Sequence, residues 1–593
     1  MNLVLAQQTV LFHTGLCPLV FVELTEGPGL RVDWEDEKAK ITAEDQTALT
    51  RAWYLICLAH EAGQDSLHVE ERRRFAHCGA MLDMSRNGVM NADALKRWID
   101  IQAALGLNML MLYTEDTYEV PEYPYFGYLR GRYTQEELQA LDEYAARRGV
   151  ELVPCVQTLA HLQQFLQWPS SAPLRDQKDI LLIDSEDTYR FLDAALASLS
   201  RCFRSRRIHI GMDEAHGVGL GNYLLKHGFT DRFALLNRHL ARVTALCEKY
   251  GFKPMMWSDM FFRLGSATNT YYDPHLRVPD EVIAALPPVE QVYWDYYHED
   301  EATYERMLRE HRRMGRGTVF AGGIWTWSGF LPNRQRTLKT MVPALRVNAR
   351  QETDTVFATL WGDDGAETDY LLAAESLALY AEACWTGPDF DPERCERTAA
   401  PLAHLSREVR ECFDRFYADD YTESTGKMLL WCDPLYPCGV SAERKDCLLA
   451  AAEEAVAVLK QAESSPETVY ARRLFKTLSK KIRALQDIRA AYDAEDRKKM
   501  ETLAAQDLPA LAKAYDALMA AHRALWEQNR KRQGWEVLAL RYGGASMRLL
   551  DAADALHRWA AGELSAVAEL AETELPDGKG SHYDRVSTPS AKT

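Results

Sequence analysis

Two acids stand side by side at Asp213 and Glu214, where the apolar run 207–212 gives out and a glycine-rich stretch begins. Such a pair can do general acid–base work if both carboxyls face one cavity. One then exchanges a proton while the other holds or neutralises charge on the reacting group. Neighbouring side chains on a strand point to opposite faces, so the pair acts together only if the chain leaves its pleat at Asp213. Similar groups end other apolar runs. Arg86 follows the first run, Glu115 and Asp116 the second, and Gln157 and His161 the third. Asp259 follows Trp257, Asp363 and Asp364 follow Trp361, Trp294 and Tyr296 share another run, and Trp325 with Trp327 ends one more. A single acid at a strand end carries little information. Acids, an arginine, a histidine and tryptophans on one rim suit a sugar ring, whose C–H faces stack on indoles and whose hydroxyls bond Arg and carboxylates.

The elements that must position these groups are eight strand-like runs, at 80–85, 108–113, 150–157, 207–212, 253–260, 290–297, 317–325 and 354–361, with amphipathic helical patterns between them. One helix opens on a capping box, Thr134 with Glu137. Several helices close on glycine: Gly106, Gly149, Gly251 and Gly315. Continuous apolar strands suit a parallel sheet covered on both faces. Eight βα units predict an α/β fold of the (β/α)8 TIM-barrel type over 78–389, with chemistry at the C-terminal strand ends; a doubly wound sheet is the alternative. Before the barrel, strand-like runs at 10–23 and 30–34 and a helical run at 42–63 predict a small N-terminal α/β domain, 1–77. After it, 390–575 reads as a C-terminal helical domain and 576–593 as a disordered tail.

A net charge of −18 with no basic stripe argues against a nucleic-acid partner; the short basic runs 70–74 and 529–532 read as solvated faces. The twelve cysteines include no C-x-x-C, Cys432 and Cys438 are the nearest pair, and Cys155 and Cys247 read as buried free thiols. With no secretory pattern at the start and no run of about 18 apolar residues, a soluble cytoplasmic protein without membrane association is expected. The stretch 217–221, GVGLG, makes a poor dinucleotide loop, because two acids before it would repel a pyrophosphate. His209, Asp213 and His216 could ligate a metal, but His209 inside a strand reads more simply as a core histidine. No cofactor and no metal are expected. Trp526, Trp535 and Tyr542, beside a presumed turn at Gly543–Gly544, are either anchors of a homodimer or internal packing.

The stretch HIGMDE, 209–214, resembles the H-x-G-x-D-E signature of glycoside hydrolase family 20, the β-N-acetylhexosaminidases. PCVQTLAH, 154–161, resembles the family's P-E-I-D-M-P-G-H; Tyr113-Thr-Glu115-Asp116 resembles its acidic pair; Trp257-Ser-Asp259 and Trp361-Gly-Asp363 resemble its W-x-E pairs. The helical C-terminal part resembles the hexosaminidase D-like branch. The resemblance implies an exo-acting enzyme that removes terminal β-GlcNAc or β-GalNAc from an oligosaccharide or glycoconjugate. It also implies retaining, substrate-assisted hydrolysis through an oxazolinium intermediate. Glu214 would be general acid and then base, and Asp213 would orient the acetamido group. Arg86 and Asp363 would hold hydroxyls, and Trp257, Trp294 and Trp361 would wall the pocket. His161 with Glu115 would form a relay that tunes Glu214. Tyr296 is expected to bond the acetamido oxygen, because it shares a strand face with Trp294. Gln157 stands where the family has Asp, and Asp259 and Asp363 where Glu is common. The rival readings are a conventional two-carboxylate retaining glycosidase and a non-catalytic sugar-binding barrel.

Overall fold

The computed structural model describes residues 1–572 apart from 267–269, 273–275, 316, 364, 418–424 and 437–439. The tail 576–593, Asp364 and Cys438 therefore lie outside the described residues. The run expected as a strand at 10–23 begins as a helix, Leu3–Thr14, started by the Asn2 side chain accepting from Leu5 N–H and ended by Gly15 at φ +70°. An apolar helix has no polar face to reveal its period, and its β-branched residues imitate a strand. Four strands follow: β1 (Phe21–Glu26), β2 (Leu30–Glu35), β3 (Lys38–Ala43) and β4 (Ser66–Glu71). Their order is β1-β3-β2-β4, with β1 parallel to β3 and β2 antiparallel to both its neighbours. Alternation buries Leu30, Val32 and Trp34 of β2, and helix Gln46–Glu61 packs against β2, β3 and β4.

The eight expected barrel strands are present: β5 (His77–Asp83), β6 (Met109–Thr114), β7 (Glu151–Val156), β8 (Arg207–His209), β9 (Lys253–Trp257), β10 (Glu290–Trp294), β11 (Val319–Gly323) and β12 (Thr355–Leu360). They close in the order β10-β11-β12-β5-β6-β7-β8-β9, every pair parallel. Closure through β12 and β5, with Thr355 opposite His77, excludes the doubly wound sheet. Strands β6 and β12 are buried along their whole length, hence their unbroken apolar runs. Several strands stop short of the apolar run that marks them. β8 ends at His209 and β10 at Trp294, so Tyr296 lies beyond its strand.

The chain divides into two compact units. The first contains Met1–Ile324, Thr337–Trp361 and Ala374–Leu402; the second contains Trp325–Arg336, Gly362–Ala373 and the chain from Ala403 onward. The segments that follow β11 and β12 thus belong with the helices, and helix Pro392–Ala399 belongs with the barrel. In the second unit, helices Ala442–Leu459, Pro466–Asp493, Leu508–Asn529 and Trp535–Ala560 pack on one another in succession. Their core contains Trp526, Trp535 and Tyr542. These aromatics therefore anchor no interface, and Gly543 and Gly544 lie inside a helix, not at a turn. The basic run at 529–532 is a solvated face only in part: Arg532 is exposed, but Asn529 and Arg530 are not. Arg530 is buried and donates to the carbonyls of Ala366 and Thr368, and Asn529 donates to Asp369. Among the described residues no helix is long and apolar enough to cross a membrane.

The other basic run, 70–74, is largely solvated, with Arg72 and Arg74 exposed, but its Glu71 is buried. Arg51, on helix Gln46–Glu61, donates to Glu71 at 2.8 Å and to Glu382 at 2.8 Å, and Arg394 reaches the same two acids at 2.6 and 3.0 Å. Arg73 pairs with Glu44 and Asp45. The Arg51 cluster ties the N-terminal sheet to the helix Leu377–Thr386 inside the first unit. Arg51→Met leaves Glu71 and Glu382 buried with only Arg394, and is expected to destabilise this unit by about 3–5 kcal/mol. A urea midpoint shift at unchanged m reads this; a loss below about 1 kcal/mol would contradict it.

Candidate active site

The backbone answers the question posed by the adjacent acids. After β8, Gly211 and Met212 both take φ +71°, Asp213 follows, and Glu214 takes φ +50°. Left-handed residues break the alternation of a strand and cost about 1 kcal/mol or more each for a non-glycine. Gln157, one residue past β7, holds this turn. Its Oε1 accepts from Met212 N–H at 3.2 Å and its Nε2 donates to Asp213 Oδ1 at 2.7 Å. A Cβ at position 211 would collide with Gln157, so glycine is needed there for space as well as for conformation.

Asp213 is enclosed. Besides Gln157 it has His161 Nε2 at 3.3 Å from Oδ2; the same nitrogen is 3.5 Å from Glu214 Oε2. His161 is itself left-handed, φ +56°. Glu214 is the open member of the pair: its side chain is 37% exposed against 9% for Asp213. Its backbone N–H donates to Asp259 Oδ2 at 3.1 Å. Asp259 is fully buried, so it braces the acid pair from behind and is not available to a sugar hydroxyl.

A second chain of bonds runs to Arg86. Gln157 Nε2 also donates to Tyr113 OH at 2.9 Å, and Tyr113 donates to Glu115 Oε1 at 3.1 Å. Glu115 Oε1 lies 3.3 Å from Arg86 Nε. Asp83, which the sequence did not single out, accepts from the backbone N–H groups of Ser85 and Arg86 and lies 3.3 Å from the Arg86 guanidinium. That guanidinium sits over the rings of Tyr113 and Trp361, 4.8 and 4.7 Å from their centroids. Asp116 turns away to Arg130. Trp361 donates through its indole N–H to Tyr296 OH at 3.1 Å, and Tyr296 stacks on Trp294 at 5.4 Å. Tyr296 thus joins the Trp294 face although it is off the strand. Trp257 is 1% exposed and lies against His209 and Trp361, so it supports the Trp361 wall and presents no face of its own. Asp363 is half-buried in the second unit, two residues past Trp361.

Crowding separates the protonation states. Burial pushes Glu115 up to about 7 against the pull of Arg86. Burial and the Asp213 charge push Asp259 well above the carboxylate range. Burial would also raise Asp213, but His161, Gln157 and Arg86 outweigh it and hold that carboxyl at about 2. His161 is the mirror image: burial would lower it, and Asp213 lifts it to about 9. His209 is a core histidine, pushed down to about 3 by burial.

A family model described as Glycosyl hydrolase family 20, catalytic domain, matches residues 75–274, and one described as Glycoside Hydrolase 20C C-terminal domain matches 411–587. The chain belongs to glycoside hydrolase family 20. The catalytic-domain match takes in the strands from β5 to β9 and with them Arg86, Glu115, His161, Asp213 and Glu214. Beta-hexosaminidase 3 of Arabidopsis thaliana is 25% identical over 220 residues, 34% of this chain and 40% of that protein. Hexosaminidase D of Homo sapiens is 24% identical over 275 residues, 43% of this chain and 53% of that protein, in keeping with the hexosaminidase D-like branch. The chain thus spans about half or less of the length of these relatives. The N-acetyl-beta-hexosaminidase of Streptomyces plicatus shares the fold with a TM-score of 0.50 at 19% identity, over 67% of this chain and 87% of that one.

Within this family-20 site, Gln157 in place of the family's Asp bonds Asp213 without adding a charge. His161 contacts Asp213 and Glu214, whereas Glu115 bonds Arg86 and Tyr113, and Gln157 bonds both Asp213 and Tyr113. The pH dependence of the His161–Asp213 pair has a definite sign. The raised histidine adds stability that is complete below 6.5 and is lost as pH rises through about 9; the depressed aspartate adds stability present above 3.8 and lost as pH falls through about 2. Both describe one ion pair. The melting temperature of the parent minus that of His161→Gln is expected to be greatest from about pH 4 to 6.5 and to shrink from there to about 9. A difference that does not change over the alkaline part of that range would contradict the assignment.

Proposed function

We propose that this chain is an exo-acting β-N-acetylhexosaminidase that cleaves terminal β-GlcNAc or β-GalNAc from oligosaccharides or glycoconjugates with retention, the substrate's acetamide acting as nucleophile. The observation that carries this is the contrast between neighbouring carboxyls. Asp213 is enclosed and held ionised by His161 and Gln157, while Glu214 is the open one. Two titratable groups in opposed environments mark distinct roles. Because they are neighbours in sequence and both meet His161, they do not straddle a sugar as the pair of a conventional retaining enzyme does.

Glu214 protonates the glycosidic oxygen and later takes a proton from the attacking water. Asp213 receives the acetamido N–H and, by its charge, stabilises the oxazolinium. Tyr296 supports the acetamido oxygen, Arg86 binds hydroxyls, and Trp294 and Trp361 stack on the ring. His161, Glu115 and Trp257 hold these groups in place. The cysteines resolved, all free, fit a reducing compartment such as the cytoplasm.

Purified protein is expected to hydrolyse 4-nitrophenyl β-GlcNAc or β-GalNAc and to leave the 4-nitrophenyl β-glucoside untouched, because the glucoside lacks the nucleophile. Glu214→Gln should lower kcat on a β-linked disaccharide by about 10²–10⁴-fold. The nitrophenyl substrate, whose leaving group needs little protonation, should lose less in its first step. Cleavage of the glucoside at a comparable rate, or equal small losses on both substrates, would overturn the reading.

A further inference from the structure

Among the described residues, a further side chain touches the Glu214 carboxyl. Tyr271 lies on the chain after helix Asp259–Gly265, and its OH donates to Glu214 Oε1 at 3.0 Å. Arg263 Nη1 donates to the same phenol oxygen at 2.9 Å, and His216 Nε2 lies 2.9 Å from it. The ring leans on Trp294, 5.3 Å between centroids. A phenol has one proton to donate and two lone pairs. With the proton given to Glu214, Arg263 and the Nε2–H tautomer of His216 can fill the two lone pairs; Arg263 Nη1 also lies 3.5 Å from His216 Nε2.

We propose that Tyr271, clamped by Arg263 and His216, is a positioning residue that occupies Oε1 of Glu214 and leaves Oε2, on the His161 side, to exchange the catalytic proton. The proposal rests on the acid–base role given to Glu214 above. In the first half-reaction the proton on Oε2 passes to the glycosidic oxygen, the C–O bond breaks, and Glu214 is left ionised. In the second, Oε2 takes a proton from the water that attacks the anomeric carbon. The phenol keeps its own proton in both halves. Burial and the nearby Glu214 and Asp259 charges push Tyr271 above the ordinary tyrosine range, so it stays a donor. Without the clamp the carboxyl of Glu214, on a partly exposed side chain, keeps only the 3.5 Å contact of Oε2 with His161 among the side-chain contacts described.

The test uses the full chain. Tyr271→Phe is expected to keep the melting temperature and to hold KM within about twofold. It should lower kcat about 10-fold or more on a β-linked disaccharide, which needs the proton, and clearly less on the 4-nitrophenyl glycoside. Arg263→Met, which keeps the ring and phenol, should show the same split at smaller size and serves if the first variant folds poorly. An unchanged kcat on the disaccharide in both variants would overturn the proposal. A crystal structure of Tyr271→Phe gives a readout independent of turnover: the Glu214 carboxyl should leave its present position or occupy two. A carboxyl unmoved and single would also overturn it. If the parent cleaves neither glycoside, the functional reading above fails, and the crystallographic comparison alone decides the positioning role.

Discussion

The site depends on one constraint: two adjacent carboxyls must face the same space, and an extended strand forbids it. The chain meets the constraint by ending β8 at His209 and placing three of the next residues in left-handed backbone, Gly211, Met212 and Glu214. Such conformations persist only where the surroundings over-determine them. Here Gln157 does so with both ends of its amide, one on the turn's backbone and one on Asp213, in the space a side chain at 211 would fill. Asp259 secures the far end of the turn at Glu214 N–H. The acid pair is therefore set by strands β7 and β9 on either side of β8, and barrel closure fixes those strands.

The same crowding sets the electrostatics. Asp83, Glu115, Asp213, Glu214 and Asp259 share a small volume with Arg86 and His161 as the cations that touch them. Buried carboxyls crowded in this way cannot all be ionised without cost. The protonation states separate accordingly: Asp213 takes the histidine and stays charged, Asp259, buried beside Asp213, goes well up, and Glu115 is pushed up to about 7. Arg86 is held flat over Tyr113 and Trp361 with its charge partly matched by Asp83 and Glu115. Its orientation is thus fixed in advance of any ligand, as binding of a neutral polyol through hydrogen bonds requires.

Much of this was legible in the residue pattern, and the misses have physical causes. Continuous apolar runs separated by amphipathic helices marked all eight barrel strands, because a strand buried on both faces leaves no other signature. The runs overshot the strands, since residues such as Ile210, Met212 and Tyr296 are buried whether or not they pair. The first helix was mistaken for a strand because it lacks a polar face. The basic runs at 70–74 and 529–532 are solvated at Arg72, Arg74 and Arg532, whereas Glu71 and Arg530 turn inward; the sequence does not show this, because charge pairing across 300 residues, as between Glu71 and Glu382 through Arg51, has no local trace. Asp213 and Glu214 stand out in the sequence by adjacency, Arg86 and His161 by their places after strands. Asp83 and Tyr271 do not: the first reads as the end of a strand, and the second lies on an irregular segment with no period to place it. Gln157 stands out by its place after a strand and as a departure from the family pattern, but its bonds to both the turn and the acid have no trace in the sequence.

The most direct test of the central claim, that the substrate's own acetamide attacks while Asp213 steadies the charge, is a kcat series on 4-nitrophenyl β-glycosides bearing N-acetyl, N-fluoroacetyl, N-difluoroacetyl and N-trifluoroacetyl groups. Fluorine withdraws electrons from the carbonyl oxygen with little change of shape. If that oxygen is the nucleophile, kcat falls steeply with each fluorine, and the first product retains the β configuration. A rate indifferent to fluorination, together with a trapped glycosyl ester on a protein carboxylate, would contradict the roles given to Asp213 and Glu214.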